Sequence, residues 1–151
     1  MIEREFERSD SVLRSLLFVG ALIVGLSGKG LADEAADKKV QGVRKAIDVC
    51  INFLEKEDYR GFVDKAVFPS RSEFIKKTDD SLKTCIYGLK RDRDELLAAL
   101  KAAKMVEPVY RESIDPKEER AFLVLEKPIF KDRELRYFIF RERNGIWYFV
   151  A

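Results

Sequence analysis

Residues 134–151, ELRYFIFRERNGIWYFVA, decide the fold. Asn144-Gly145 stands between two runs of alternating apolar and polar residues, the strongest short-range signal for a two-residue β-hairpin. A two-residue turn sets Arg143 opposite Ile146, Glu142 opposite Trp147 and Phe140 opposite Phe149. Phe138, Phe140, Trp147 and Phe149 then line one face, and Tyr137, Ile139, Tyr148 and Val150 the other. Working upstream, Pro128 to Arg133 reads as a connection. Arg120 to Lys127 reads as a strand that is apolar on both faces through Ala121-Phe122-Leu123-Val124-Leu125, hence central. Asp115-Pro116-Lys117 is a turn, and Val106 to Ser113 is another strand.

Before Met105 the period changes from two to between three and four. Val40, Val43, Ile47, Cys50, Ile51 and Leu54 form one apolar face and predict a helix over 34–57, with Asp33 as its cap and Gly42 as a weak point. A short helical segment follows over 57–63, and the chain turns at Phe68-Pro69. Ser70 and Glu73 have the spacing of a capping box. They predict a helix through Phe74, Ile75, Thr78, Leu82 and Cys85, interrupted near Gly88. A last helix runs from Asp92 to Lys104, acidic at its start and basic at its end as the helix dipole favours. Helices followed by consecutive strands predict an α+β fold, with the helices packed on one face of a curved antiparallel sheet of about four strands.

Residues 11–36, SVLRSLLFVGALIVGLSGKGLADEAA, carry a different message. Arg14 precedes an apolar run from Leu16 to Leu26, followed by small residues. This is the layout of a secretory signal peptide, with cleavage after Ala32 and with Gly30 and Ala32 as the small residues of the site. Eleven helical residues reach about 16 Å, whereas a bilayer core is about 30 Å thick, so a removable leader is expected and a permanent membrane span is not. The acidic residues Glu3, Glu5, Glu7 and Asp10 fit a leader poorly, and a start of translation near Val12 removes them. The chain thus divides into a signal peptide over 1–32 and a single domain over 33–151, exported to the periplasm or secreted.

The whole chain carries 29 Lys+Arg against 27 Asp+Glu, a net charge of +2. Removing 1–32 takes four residues of each sign and leaves that balance unchanged. It is too even for a nucleic-acid binder that works by counterion release. There is no histidine, which excludes histidine-based triads and nearly all zinc sites; no metal and no cofactor is expected. Cys50 and Cys85 are an even pair in a chain read as exported, and a disulfide between them is expected. The alternative is that both are small buried apolar residues.

The element order and three local stretches resemble the nuclear-transport-factor-2-like superfamily, the cystatin-like cone fold that includes the SnoaL-like proteins and ketosteroid isomerase. The stretches are Asn52 to Phe62 (NFLEKEDYRGF), Phe68-Pro69-Ser70, and Arg143 to Tyr148 (RNGIWY). The resemblance covers about Ala36 to Ala151 and implies a cone whose mouth lies between a curved sheet and the helices. In the family's enzymes that mouth holds acid–base groups. No residue here aligns with a catalytic Asp–Tyr constellation, so the chain looks like the exported, non-enzymatic branch. Dimerisation through the open sheet face is also implied by that likeness.

Candidate chemistry is sparse. Asp58-Tyr59 offers a carboxylate and a phenol, but adjacent helical residues point about 100° apart, and a cap at Asp58 is the plainer reading. Asp79-Asp80 has the makings of a cation site, yet Lys76, Lys77 and Lys83 make it an ordinary solvated face. Tyr59, Tyr110, Tyr137, Tyr148 and Trp147 are the candidates for a ligand pocket at the cone's mouth, with Tyr87 as a further aromatic there. Arg133, Arg136, Arg141 and Arg143 flank the last hairpin, either as edge protection or as a surface for an anionic ligand or partner. The expected function is an exported, non-catalytic domain that binds a small apolar ligand or a protein partner. The rival is an isomerase- or dehydratase-type enzyme using a buried carboxylate and a tyrosine.

Overall fold

Asn144 and Gly145 both have positive φ, 55° and 79°, the left-handed pair that a type I′ turn demands. The Glu142 carboxylate accepts a hydrogen bond from the Gly145 amide and reinforces that turn. The computed structural model of the chain describes residues 7–112 and 118–150, with side chains for Gly30 and from Ala32 onward. In it the turn joins β3 (Tyr137–Arg143) to β4 (Ile146–Phe149), and the pairs are those expected: Phe140 with Phe149, Arg141 with Tyr148, Glu142 with Trp147 and Arg143 with Ile146.

With β1 (Val109–Glu112) and β2 (Glu119–Val124), these strands form an antiparallel sheet in the order β1-β2-β3-β4. The apolar β2 is internal, as its sequence demands. The sheet is open. Along the outer side of β4, Val67 forms a parallel bridge with Phe149, and the Phe68 amide donates to the Phe149 carbonyl at 2.8 Å. That edge is thereby covered. The expected turn at Asp115-Pro116-Lys117 lies outside the described residues.

The helices are α1 (Glu7–Glu55), α2 (Tyr59–Gly61), α3 (Pro69–Lys76), α4 (Asp79–Arg91) and α5 (Arg93–Ala103), with a π-helical turn over Phe62–Ala66 continuing α2. The chain divides into two units, Met1–Lys39 and Val40–Ala151, and α1 contributes to both. The backbone is helical on both sides of Asp33, so this residue does not cap the helix. Single glycines such as Gly30 cost a helix only about 1 kcal/mol and do not end it. Of the leader expected over 1–32, residues 1–6 and all side chains but those of Gly30 and Ala32 lie outside the described residues. Among the described residues no helix is long and apolar enough to cross a membrane.

At its C-terminal end α1 closes with a Schellman arrangement. Glu57 takes a positive φ of 55°, its amide donates to the Leu54 carbonyl at 3.2 Å, and the Asp58 amide donates to the Phe53 carbonyl at 3.0 Å. Asp58 then caps α2, its carboxylate accepting from the Gly61 amide at 2.8 Å. The capping box at Ser70–Glu73 does not form. Pro69 takes the first helical position, where its missing N–H costs nothing, and Ser70 falls inside the first turn. Thr78 ends the run instead and caps α4, accepting from the Ser81 amide at 3.1 Å. Gly88 lies within α4, and the interruption falls at Asp92, between α4 and α5.

The core lies between the helices and one face of the sheet. Val43, Ile47, Cys50 and Leu54 of α1 and Leu96, Leu100 and Ala103 of α5 meet Ala121, Leu123, Phe138 and Phe140 of the sheet. Phe149 sits among three rings, with centroids 5.8 Å from Phe62, 5.9 Å from Phe138 and 5.7 Å from Phe140. Gly42, the weak point of α1, has its reason here. A Cβ at this position falls 2.7 Å from Cδ1 of the Trp147 indole, so the absent side chain is the seat of the only tryptophan.

The disulfide does not form: Cys50 and Cys85 are both free. Cys50 is on the core face of α1, where burial pushes its thiol up to about 12. Cys85 is half-buried on α4, and burial raises its thiol too, against the influence of Arg71. The apolar-residue reading accounts for Cys50.

Two outcomes follow from this packing. Gly42→Ala should destabilise the protein by about 1 kcal/mol, because overlap with the indole costs about 1–3 kcal/mol and exceeds the gain in helix propensity. In a Trp147→Leu background the same change should stabilise, and denaturant titration of the four proteins checks the reversal. Iodoacetamide should label Cys85 in the folded protein and Cys50 only after unfolding, as read by peptide mass spectrometry.

Candidate functional site

Strand alternation divides the five candidate aromatics. Tyr110 of β1 and Trp147 of β4 face the helices and come together, with centroids 5.9 Å apart and rings tilted by 58°. Between their strands Tyr110 pairs with Ala121, whose small side chain leaves the rings room to meet. Arg44 of α1 reaches the nearby Glu107 at 3.3 Å. Burial pushes the Tyr110 phenol up to about 12; Glu119 and Glu107 add to this, and Arg44 acts against it. Tyr59 is buried on α2, with the Lys90 ammonium 5.7 Å from its ring centroid. Tyr137 and Tyr148 are on the opposite face of the sheet, where Tyr148 meets Phe68 edge-on at 6.0 Å. Tyr87 is exposed on α4. The structure therefore does not bring the five into one pocket. The space expected between sheet and helices is occupied by Phe62, Phe138 and Phe140, each at most 2% exposed.

A concave surface lies elsewhere, at the end of β2. An open groove of about 880 Å³ runs between α5 and the β2–β3 connection. Ala98, Ala99 and Ala102 form its helical wall, Met105 and Val106 its end, and Val124, Leu125, Pro128, Ile129 and Phe130 the facing wall; Glu95, Glu126, Lys127 and Lys131 stand at the rim. The local backbone explains the shape. After Val124 the chain stays tied to the start of β3, the Leu125 amide donating to the Arg136 carbonyl at 2.6 Å and the Ile129 amide to the Leu135 carbonyl at 2.7 Å. Glu126-Lys127-Pro128 bows outward between these bonds, and alanines on α5 leave the opposite side empty. Met105 is 86% and Val124 60% exposed, so the apolar lining is open to water. Glu95 accepts from the Lys131 amide at 3.4 Å and lies 3.8 Å from its ammonium.

None of the five aromatic candidates lines this groove. Its signal in the sequence is the run Ala98-Ala99-Leu100-Lys101-Ala102-Ala103, where successive turns of one helix present methyl groups toward a neighbour.

The carboxylate pairs have structural places. Asp79 and Asp80 lie in the first turn of α4, where negative charge suits the helix dipole. Among the described residues no three metal-ligating side chains are grouped closely enough to hold an ion. Asp92 joins α4 to α5. Hydrogen bonds from Arg91 at 2.6 Å and Arg133 at 3.0 Å hold its carboxyl below the ordinary value, Arg91 contributing most.

Arg141 and Arg143 do not protect an edge, because β3 is internal to the sheet. Arg133 serves Asp92 and stacks on Phe130 at 4.6 Å. Arg136 donates to the Glu126 carbonyl at 3.4 Å. Arg141 meets the Glu118 carboxylate and lies over the Phe68 ring at 4.6 Å.

Comparison with known proteins finds no family model, no curated relative and no solved structure that matches the chain.

The raised phenol of Tyr110 carries a sign for stability. The folded state holds this proton up to about 12, against an ordinary value of 10.0. Above that ordinary value the unfolded chain binds fewer protons, so stability falls as pH rises. The contribution is complete below pH 10 and is lost through about pH 12. Denaturation midpoints taken between pH 8 and 11 should therefore fall more steeply above pH 10 in the natural protein than in Tyr110→Phe.

Proposed function

We propose that this chain is an exported, non-catalytic binding module, similar in kind to the cone domains of the nuclear-transport-factor-2-like superfamily, and that its groove between α5 and the β2–β3 connection holds a small apolar ligand. The observation that carries this reading is the groove's composition. Its walls are aliphatic and aromatic, its charges stand at the rim, and its volume of about 880 Å³ suits a drug-sized or lipid-sized molecule. The order of helices before strands supports the cone likeness. The leader-like run before Ala32 supports export. An acid–base enzyme of isomerase or dehydratase type calls for a carboxylate and a tyrosine in one cavity. The described lining of this groove has Glu95 and Glu126 but no tyrosine.

The dye 1-anilinonaphthalene-8-sulfonate is a suitable probe, since it combines an apolar body with an anionic group. Titration should show one dye per chain, with affinity reduced about tenfold or more (about 1.4 kcal/mol or more) by Ala102→Trp, which fills the groove from an exposed helical position. Circular dichroism should show the variant folded. Equal dye binding by the two proteins, or none by the natural one, contradicts the assignment.

A further inference from the structure

Each of three strands carries a basic and an acidic residue side by side: Arg111-Glu112 in β1, Glu119-Arg120 in β2 and Arg141-Glu142 in β3. Period-two alternation sends the two charges to opposite faces. The pairing register then aligns them. Arg111 is opposite Arg120, Arg120 is opposite Arg141, and Arg141 is opposite Tyr148. Three arginines thus form a row across the face of the sheet opposite the core. Neighbouring strands are about 4.8 Å apart, so the row spans about 10 Å.

Like charges placed directly opposite destabilise a sheet, so this row lowers stability in the isolated domain. Its details suit a carboxylate-rich partner. The Arg111 guanidinium lies over Phe122 at 5.2 Å and that of Arg141 over Phe68 at 4.6 Å. For Arg111, stacking engages the guanidinium face and leaves the N–H donors along its edge, the geometry that takes carboxylates in pairs. Glu118 already supplies one such carboxylate to Arg141. Beside the arginines runs an apolar row, Val109 opposite Phe122 and Phe122 opposite Ile139, of which Val109 is 53% exposed.

We infer that this outer face docks an acidic polypeptide segment. Its carboxylates meet Arg111 and Arg120, beside the Arg141–Glu118 pair, and its apolar side chains lie along Val109, Phe122 and Ile139. Charge complementarity selects this occupant over a second copy of the chain, since a copy related by a two-fold axis through the row sets arginines against arginines.

The test uses the full chain and a fluorescein-labelled peptide of sequence Glu-Phe-Glu-Leu-Glu-Val-Glu, read by anisotropy. Binding should weaken as salt is raised. It should weaken at least tenfold in the Arg111→Gln/Arg120→Gln double variant, and stay unchanged in Ala102→Trp, which alters only the groove. Without peptide, Arg120→Gln should raise the thermal midpoint by relieving repulsion. The proposal is overturned by absence of peptide binding, by equal binding of a peptide with Gln in place of Glu, or by equal affinity of the double variant. A lower midpoint for Arg120→Gln also overturns it, as does a preference for vesicles of anionic phosphatidylglycerol over the peptide.

Discussion

Everything in the sheet–helix layer depends on the ring of Phe149. It touches Phe62 from the helical half and Phe138 and Phe140 from the neighbouring strand, while its backbone carbonyl binds the Phe68 amide. One residue therefore joins β4 to β3 and both to the segment after α2. Its orientation is set by the turn at Asn144-Gly145. A slip of one residue there would turn Phe149 and Trp147 to the outer face and bring Tyr148 and Val150 inward. The two left-handed residues of the turn are what exclude that slip.

The parts of the fold legible in the sequence are those governed by short-range rules with one solution. The hairpin register, the division of Phe138, Phe140, Trp147 and Phe149 from Tyr137, Ile139, Tyr148 and Val150, and the internal place of β2 all follow from alternation and one turn. So does α5, framed by acidic and basic ends. The helical segment from 69 to 91 was less legible because two local signals competed. Ser70 and Thr78 both have capping hydroxyls, and Pro69 removes the first from the contest by occupying the helix start. Gly88 is a breaker by propensity alone, and a cost of about 1 kcal/mol is small within a 13-residue helix. The cysteine pairing depends on which helices are neighbours, which no local pattern encodes.

The candidate site shows the same division. Aromatic residue type suggested a shared pocket, but alternation and burial dispersed the five residues to the core, to the Tyr110–Trp147 contact and to the outer face. The groove is made by what is missing, methyl groups on α5 and a bowed connection after Val124, and a sequence displays absences weakly. The arginine row illustrates the reverse case. Arg111, Arg120 and Arg141 are nine and then 21 residues apart in the chain, and only the strand register places them opposite one another. Their acidic neighbours make the local charge look neutral, although alternation sends those neighbours to the other face.

The order in which the hub's partners appear has a consequence for how the chain is made. Phe62 leaves the ribosome about 87 residues before Phe149, an interval of roughly 4 to 17 s at ordinary rates of synthesis. Until then the inner faces of α1 and α5 lack the β3–β4 hairpin that completes their cover, and contacts of such long sequence separation form slowly in any case. A nascent polypeptide whose core closes only with its last strand exposes apolar helix faces throughout its synthesis, the interval in which aggregation competes with folding.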